Sequence, residues 1–133
     1  MRLSRKCEYA CLALVELSRD YEKQLTKASA ISEKNNIPKK FLEQILTILK
    51  ASNYITSERG ANGGYSLLRA PSKITLAEVV RLFDGPIAPS PSVSTYFYKE
   101  SPIQNSMKIV GVLKDVRDYA AHKMENTFFS DLI

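Results

Sequence analysis

The sequence predicts a mainly α-helical chain carrying one short β hairpin, and three observations lead there. Apolar residues recur at intervals of three and four along stretch after stretch, as they must where one helix face is buried. Two short strands, Tyr54–Ser57 and Tyr65–Leu68, fit on either side of the glycine-rich segment RGANGG. The proline- and serine-rich segment 86–106 fits no period, and it separates the first part from a last long helical stretch, 106–126.

At 133 residues, 44% hydrophobic and 25% charged, the chain has the make-up of one globular domain, or of a domain with an arm. No apolar run approaches the roughly 18 residues of a membrane span. No signal-peptide pattern opens the sequence, so a cytoplasmic location is expected. Its two cysteines, Cys7 and Cys11, stand four apart on one predicted helix and read as small apolar core residues, not as a disulfide or metal framework. The net charge of +5 is unevenly placed. Residues 1–85 hold fourteen Lys/Arg against nine Asp/Glu, whereas residues 86–133 hold five of each. The whole positive excess therefore lies in the first part, as phosphate binding requires.

The first helix is expected over 3–19, with Leu3, Cys7, Ala10, Leu14 and Leu17 on one face and Cys11 and Val15 widening it. Arg2, Arg5 and Lys6 near its start are candidates for phosphate contact. Thr26 is placed to cap a second helix, Lys27–Lys34, with Ala28 and Ile31 inward. Asn35, Asn36 and Ile37 turn the chain into a third helix that opens at Pro38, a residue suited to a first helical position. Leu42, Ile45, Leu46 and Leu49 form the apolar line of this helix, leaving Lys39, Lys40, Glu43, Gln44 and Lys50 in water. Short helix, three-residue turn and polar-faced helix make a helix-turn-helix, and the hairpin that follows makes it winged. Such a unit grips duplex DNA with the helix in the major groove and the basic hairpin beside it. Lys39 and Lys40 suit phosphate contacts. In the hairpin, Gly60, Gly63 and Gly64 are expected to supply the positive backbone angles of a tight turn. Thr75 and Glu78 form a capping box that opens a helix to about Phe83, with Leu76, Val79, Val80 and Phe83 inward.

FLEQIL (41–46) followed by RGANGGYSLLRAPSKITLAEVV (59–80) resembles the winged helix-turn-helix regulators of the IscR, NsrR and CymR type, the Rrf-type family. MRLSRKCEYA resembles that family's first helix, so the likeness runs over nearly the whole chain. It implies that Glu43 and Gln44, with Phe41 close by, face the bases, which their chemistry allows. Glutamine pairs with adenine through two hydrogen bonds, and a carboxylate accepts from the cytosine amine. It also implies that Arg59, beside Gly60, enters the minor groove, where a narrow A·T tract concentrates negative potential.

Many members of that family carry three cysteines in the loop corresponding to 86–106 and bind an iron–sulfur cluster there. Ser92, Ser101 and Ser106 stand at what look like those positions. Serine has no accessible anion near neutral pH and is a poor ligand for iron sulfide, so no cofactor is expected in this sequence as written. A cluster would be expected only were these three residues cysteines in the native protein. The pattern fits a cysteine-to-serine variant of a redox, nitric oxide or iron sensor first, and a member that has lost its cluster second. The resemblance places a possible fourth ligand, donated across a dimer, at Glu8, although an ordinary exposed carboxylate is the plainer reading. The histidine some members use would fall at Ile109, and the single histidine, His122, reads as a surface residue.

In the last long helix Ile109, Leu113, Val116, Ala120 and Met124 recur near the 3.5-residue spacing of paired helices, predicting a dimerisation seam. Phe128, Phe129 and Leu132 after it are expected to cover the partner. The organisation predicted is thus a winged helix-turn-helix DNA-binding domain (1–85), a sensor-type loop (86–106), and a dimerisation helix with a C-terminal cap (107–133). The expected function is a homodimeric, sequence-specific regulator of transcription, expected to repress, on palindromic double-stranded DNA. The alternative is a cluster-independent regulator controlled by a protein partner such as an enzyme of cysteine metabolism, with Tyr96–Tyr98 as its surface. Nothing in the sequence makes a catalytic set.

Overall fold

The computed structural model describes residues 1–95 and 98–133. Five α-helices, α1 (Arg5–Arg19), α2 (Ala28–Asn35), α3 (Lys39–Ala51), α4 (Leu76–Asp84) and α5 (Met107–Glu125), enclose one antiparallel hairpin, β1 (Ile55–Glu58) and β2 (Gly64–Leu67). Short 3-10 turns fill Pro71–Lys73, Pro91–Val93, Pro102–Asn105 and Phe129–Leu132.

α1 runs through the centre because its small and branched residues fall on one stripe. Ala10, Ala13, Leu14 and Leu17 are buried against Ile31 of α2, Leu42, Ile45, Leu46 and Leu49 of α3, Ile55 and Leu67 of the hairpin, and Val79 of α4. A smaller cluster of Cys7, Ala77, Val80 and Ile87 joins α1 to α4 and receives Ala120, Ala121 and Met124 of α5. Cys7 and Cys11 are both free, and the Cys7 thiol is pushed up by its hydrogen bond to Cys11 and by burial. It is therefore a neutral core group, as the sequence suggested.

Several local expectations are corrected. α1 begins at Arg5, two residues later than expected, because Ser4 caps it, its hydroxyl accepting from the Cys7 N–H at 3.1 Å. Thr26 does not cap α2: its hydroxyl donates to Asp20 at 2.8 Å and its backbone forms a bridge to Tyr65, so the hairpin has claimed it. Pro38 sits at the cap of α3 and leaves the first turn to Lys39. The strands are shifted by one residue, with Ile55 paired to Leu67 and Glu58 to Gly64. Gly60 has the expected positive φ of 105°, but Gly63 does not. There the requirement is space, since a Cβ would land on the Glu58 carbonyl.

One residue of the C-terminal cap, Phe129, is also corrected. Phe129 is fully buried in this chain's own main cluster, and Thr75 and Phe128 form an isolated bridge. The Phe129 N–H donates to the Ile74 carbonyl at 3.0 Å. The tail therefore closes the floor beneath α1 and α4, and Phe129 is not free to cover a partner. No helix among the described residues is long and apolar enough to cross a membrane.

Candidate nucleic-acid interface

α3 is amphipathic along its whole length, and that division builds the site. With Leu42, Ile45, Leu46 and Leu49 locked in the core, Lys39, Lys40, Phe41, Glu43, Gln44 and Thr47 must face outward, and all are exposed. The turn that sets this angle is short because Asn36 accepts the left-handed conformation (φ 52°) at the end of α2, and Ile37 is buried behind it. Lys40, Glu43, Gln44 and Thr47 share a shallow groove with Lys6 of α1. Phe41 meets Tyr9 edge to face at 6.2 Å, and the Arg5 guanidinium lies over the Tyr9 ring at 5.9 Å. The basic start of α1 is thus stacked onto the outward face of α3, whereas Arg2 is simply exposed.

The hairpin is held beside this face by three ties. Lys27 donates to the Ala61 carbonyl at 2.7 Å, Lys50 to the Ser57 hydroxyl at 2.7 Å, and the Thr26 and Tyr65 backbones exchange two bonds of 2.8 Å. Arg59 and Gly60 stand exposed at the tip. Behind the hairpin, Tyr54 before β1 and Arg69 after β2 both hydrogen-bond Glu78 of α4, at 2.8 and 2.5 Å, while Arg69 stacks on Tyr54 at 4.8 Å. Burial alone would raise the Glu78 carboxyl. Its bonds from Arg69, the Thr75 N–H and Tyr54 outweigh that and hold it below the usual carboxylate range.

Thr47 and Lys27 were not singled out from the sequence as site residues. Thr47 could have been, because it continues the polar line Lys40, Gln44 at helical spacing; the tie from Lys27 to a loop 34 residues away had no local signal.

The loop serines behave as hydroxyls with work of their own. Ser92 is buried and pairs with Ser90 at 2.9 Å. Ser106 caps α5 by accepting from the Ile109 N–H at 3.4 Å, and the Ser101 carbonyl accepts from the Gln104 N–H at 3.1 Å. Three neutral hydroxyls, two of them engaged, do not fit an iron–sulfur cluster. Glu8 is exposed and lies 3.7 Å from Arg5 of the same chain. No group of three or more His, Cys, Asp or Glu among the described residues is placed to hold a metal. Of the aromatic run 96–98, Tyr96 and Phe97 lie outside the described residues, and Tyr98 is exposed, its hydroxyl accepting from Gln104.

A helix-turn-helix closed by a hairpin, with a separate long terminal helix, defines the winged helix class of DNA-binding transcription regulators. CymR, the global cysteine regulator of Bacillus subtilis, has this fold with a TM-score of 0.80 at 27% identity, over 99% of this chain and 95% of that one. IscR of T. potens shares the fold at a TM-score of 0.76 and 21% identity, over 99% of this chain and 85% of that one. In sequence, an HTH-type transcriptional regulator of Rhodobacter capsulatus described as rrf2-like is 41% identical over 100 residues, 73% of this chain and 67% of that protein. The sequence model of Rrf2, described as iron-dependent transcriptional regulator, matches residues 3–133. The chain belongs to the Rrf2 family. Its relatives are regulators of transcription, not enzymes.

Proposed function

We propose that the protein is a homodimeric repressor that reads a palindromic operator with two copies of α3, each flanked by a wing. The observation that carries this reading is the outward row Lys39, Lys40, Phe41, Glu43, Gln44, opposite three buried leucines and one buried isoleucine, with Arg59 on the adjoining hairpin. In this reading Lys39, Lys40, Lys6, Arg5 and Arg2 meet phosphates, Gln44 and Glu43 read base edges with Phe41 against them, and Arg59 beside Gly60 enters the minor groove. Dimerisation uses α5, whose exposed Ile109, Val112, Val116 and Tyr119 recur at intervals of three, four and three. This seam keeps Ile109 and Val116 of the predicted stripe; Ala120 and Met124 pack inward on the second cluster instead.

An operator selected from random duplexes tests it. Arg59→Ala should weaken binding most where the flanks are A·T-rich, and Gln44→Ala should relax preference at one position per half-site by ~1–3 kcal/mol. Affinities unchanged in both variants would reject the reading.

The serine loop supports a second, finer reading: a regulator that works without a cluster and answers to a protein partner. The likeness to CymR along the whole chain makes an enzyme of cysteine metabolism the partner to try first. Ser106 as a helix cap and Ser92 as the partner of Ser90 are tasks that suit hydroxyls better than thiols.

A further inference from the structure

Between the end of α4, the segment after it and the second half of α5 lies a cleft of about 420 Å³, within the ~300–1,000 Å³ usual for small-molecule sites. Its charged walls come from two helices: Arg81 from α4, and Arg117, Asp118 and Glu125 from α5. Ile87 and Ala121 supply an apolar floor, and Ser94 and Thr95 close one side.

Both arginines are already paired, and Asp118 accepts from Arg117 Nε at 2.8 Å as well as from Nη2. Arg81 pairs with Glu125 at 2.6 Å, and Arg117 with its sequence neighbour Asp118 at 2.7 Å. The carboxylates are 48% and 67% exposed, the arginines only 34% and 20%. It is the carboxylate of each pair that water reaches, so an incoming carboxylate can take its place while the guanidinium stays where it is. Arg117 is also pre-positioned, since its Nη1 donates to the Val93 carbonyl at 2.9 Å. A planar guanidinium recognises a carboxylate through two parallel bonds. Two guanidinium groups over a short apolar floor match one carboxylate at each end of a short carbon chain.

We propose that this cleft binds a small organic dicarboxylate, with Arg81 and Arg117 taking one carboxylate each. Such a ligand would bridge α4, which carries the base of the wing through Glu78, and α5, the arm proposed for dimerisation. It is independent of any iron–sulfur chemistry in the loop. Its binding step does not depend on the operator reading either, and the test measures binding without DNA.

The test is calorimetric titration of the full-length chain with succinate, with butyrate, sulfate and chloride at matched ionic strength as comparisons. Saturable succinate binding is expected, with a dissociation constant on the order of 0.1–1 mM, and butyrate at least tenfold weaker. Arg81→Gln, which gives up only an exposed pair, should weaken succinate at least tenfold while leaving the circular dichroism spectrum unchanged. Asp118→Asn, which frees Arg117 from its competitor, should tighten it severalfold. No saturable heat with succinate, undiminished binding in Arg81→Gln, or sulfate binding as tightly as succinate would each overturn the assignment.

Discussion

Leu14 in the middle of α1 and Val116 in the middle of α5 are both aliphatic side chains on long helices, yet the first has no exposure and the second is 46% exposed. The contrast holds along both helices. α1 buries six residues and touches α2, α3, α4, the hairpin and the C-terminal tail, whereas α5 buries none. On α5, Val112 and Tyr119 remain 62% and 77% exposed. The reading head is therefore complete within one chain, while the arm presents an apolar stripe that water solvates poorly. Two helices of similar length have been given different tasks by where their apolar residues fall.

The largest effect that would break this contrast lies on the arm. Val116→Asp with Tyr119→Asp would bury two unpaired charges in the proposed dimer seam, each costing about 3–5 kcal/mol. The double variant should sediment as a monomer with the helical content of the head intact, and should lose operator binding through loss of the second half-site. A variant that stays dimeric would move the seam elsewhere.

Phe129→Ala sharpens the same comparison from the other side. Its ring is fully buried beneath α1, so truncation should cost about 3–5 kcal/mol of unfolding free energy by denaturant titration, with no direct effect on association of the folded chain. Loss of association without loss of stability would return the tail to the interface.

Much of the head could be read from the residues in order, because its elements are short and locally signalled. The Thr75–Glu78 capping box and the four apolar positions of α3 are each written within a single turn or two. What escaped depended on contacts distant in sequence. Thr26 looks like a cap until Tyr65 arrives to pair with it, and Phe129 looks like a cover for the partner until Ile74 offers its carbonyl. On α5 the 3.5 spacing was visible, but two adjacent stripes share it. Only the position of α4 decides that Ala120 and Met124 turn inward while Val112 and Tyr119 turn out. For the candidate site, α3's outward residues were legible from amphipathicity; the ties from Lys27 and Lys50 that hold the wing were not, since nothing local to either lysine marks its partner.

The smallest of the expected effects concerns the joint between wing and α4. Glu78 accepts from Tyr54, Arg69 and the Thr75 N–H, and these bonds lower its pKa below the ordinary value near 4.5. A carboxylate depressed in the folded state contributes stability that is present above its unfolded pKa and lost as pH falls through the folded one. Unfolding free energy should therefore decline from about pH 4.5 downward, and Glu78→Gln should flatten that decline. At neutral pH the substitution should cost about 1–3 kcal/mol, below Phe129→Ala, because it leaves charged and polar partners short of an acceptor without opening a cavity. Hydrogen exchange should locate the loss. Faster exchange at β1 and β2, with α1 unchanged, is the expected pattern, since Tyr54 and Arg69 flank the two strands. Uniform acceleration across the head would instead make Glu78 part of the core's own stability, and the wing would have no separate anchor on α4.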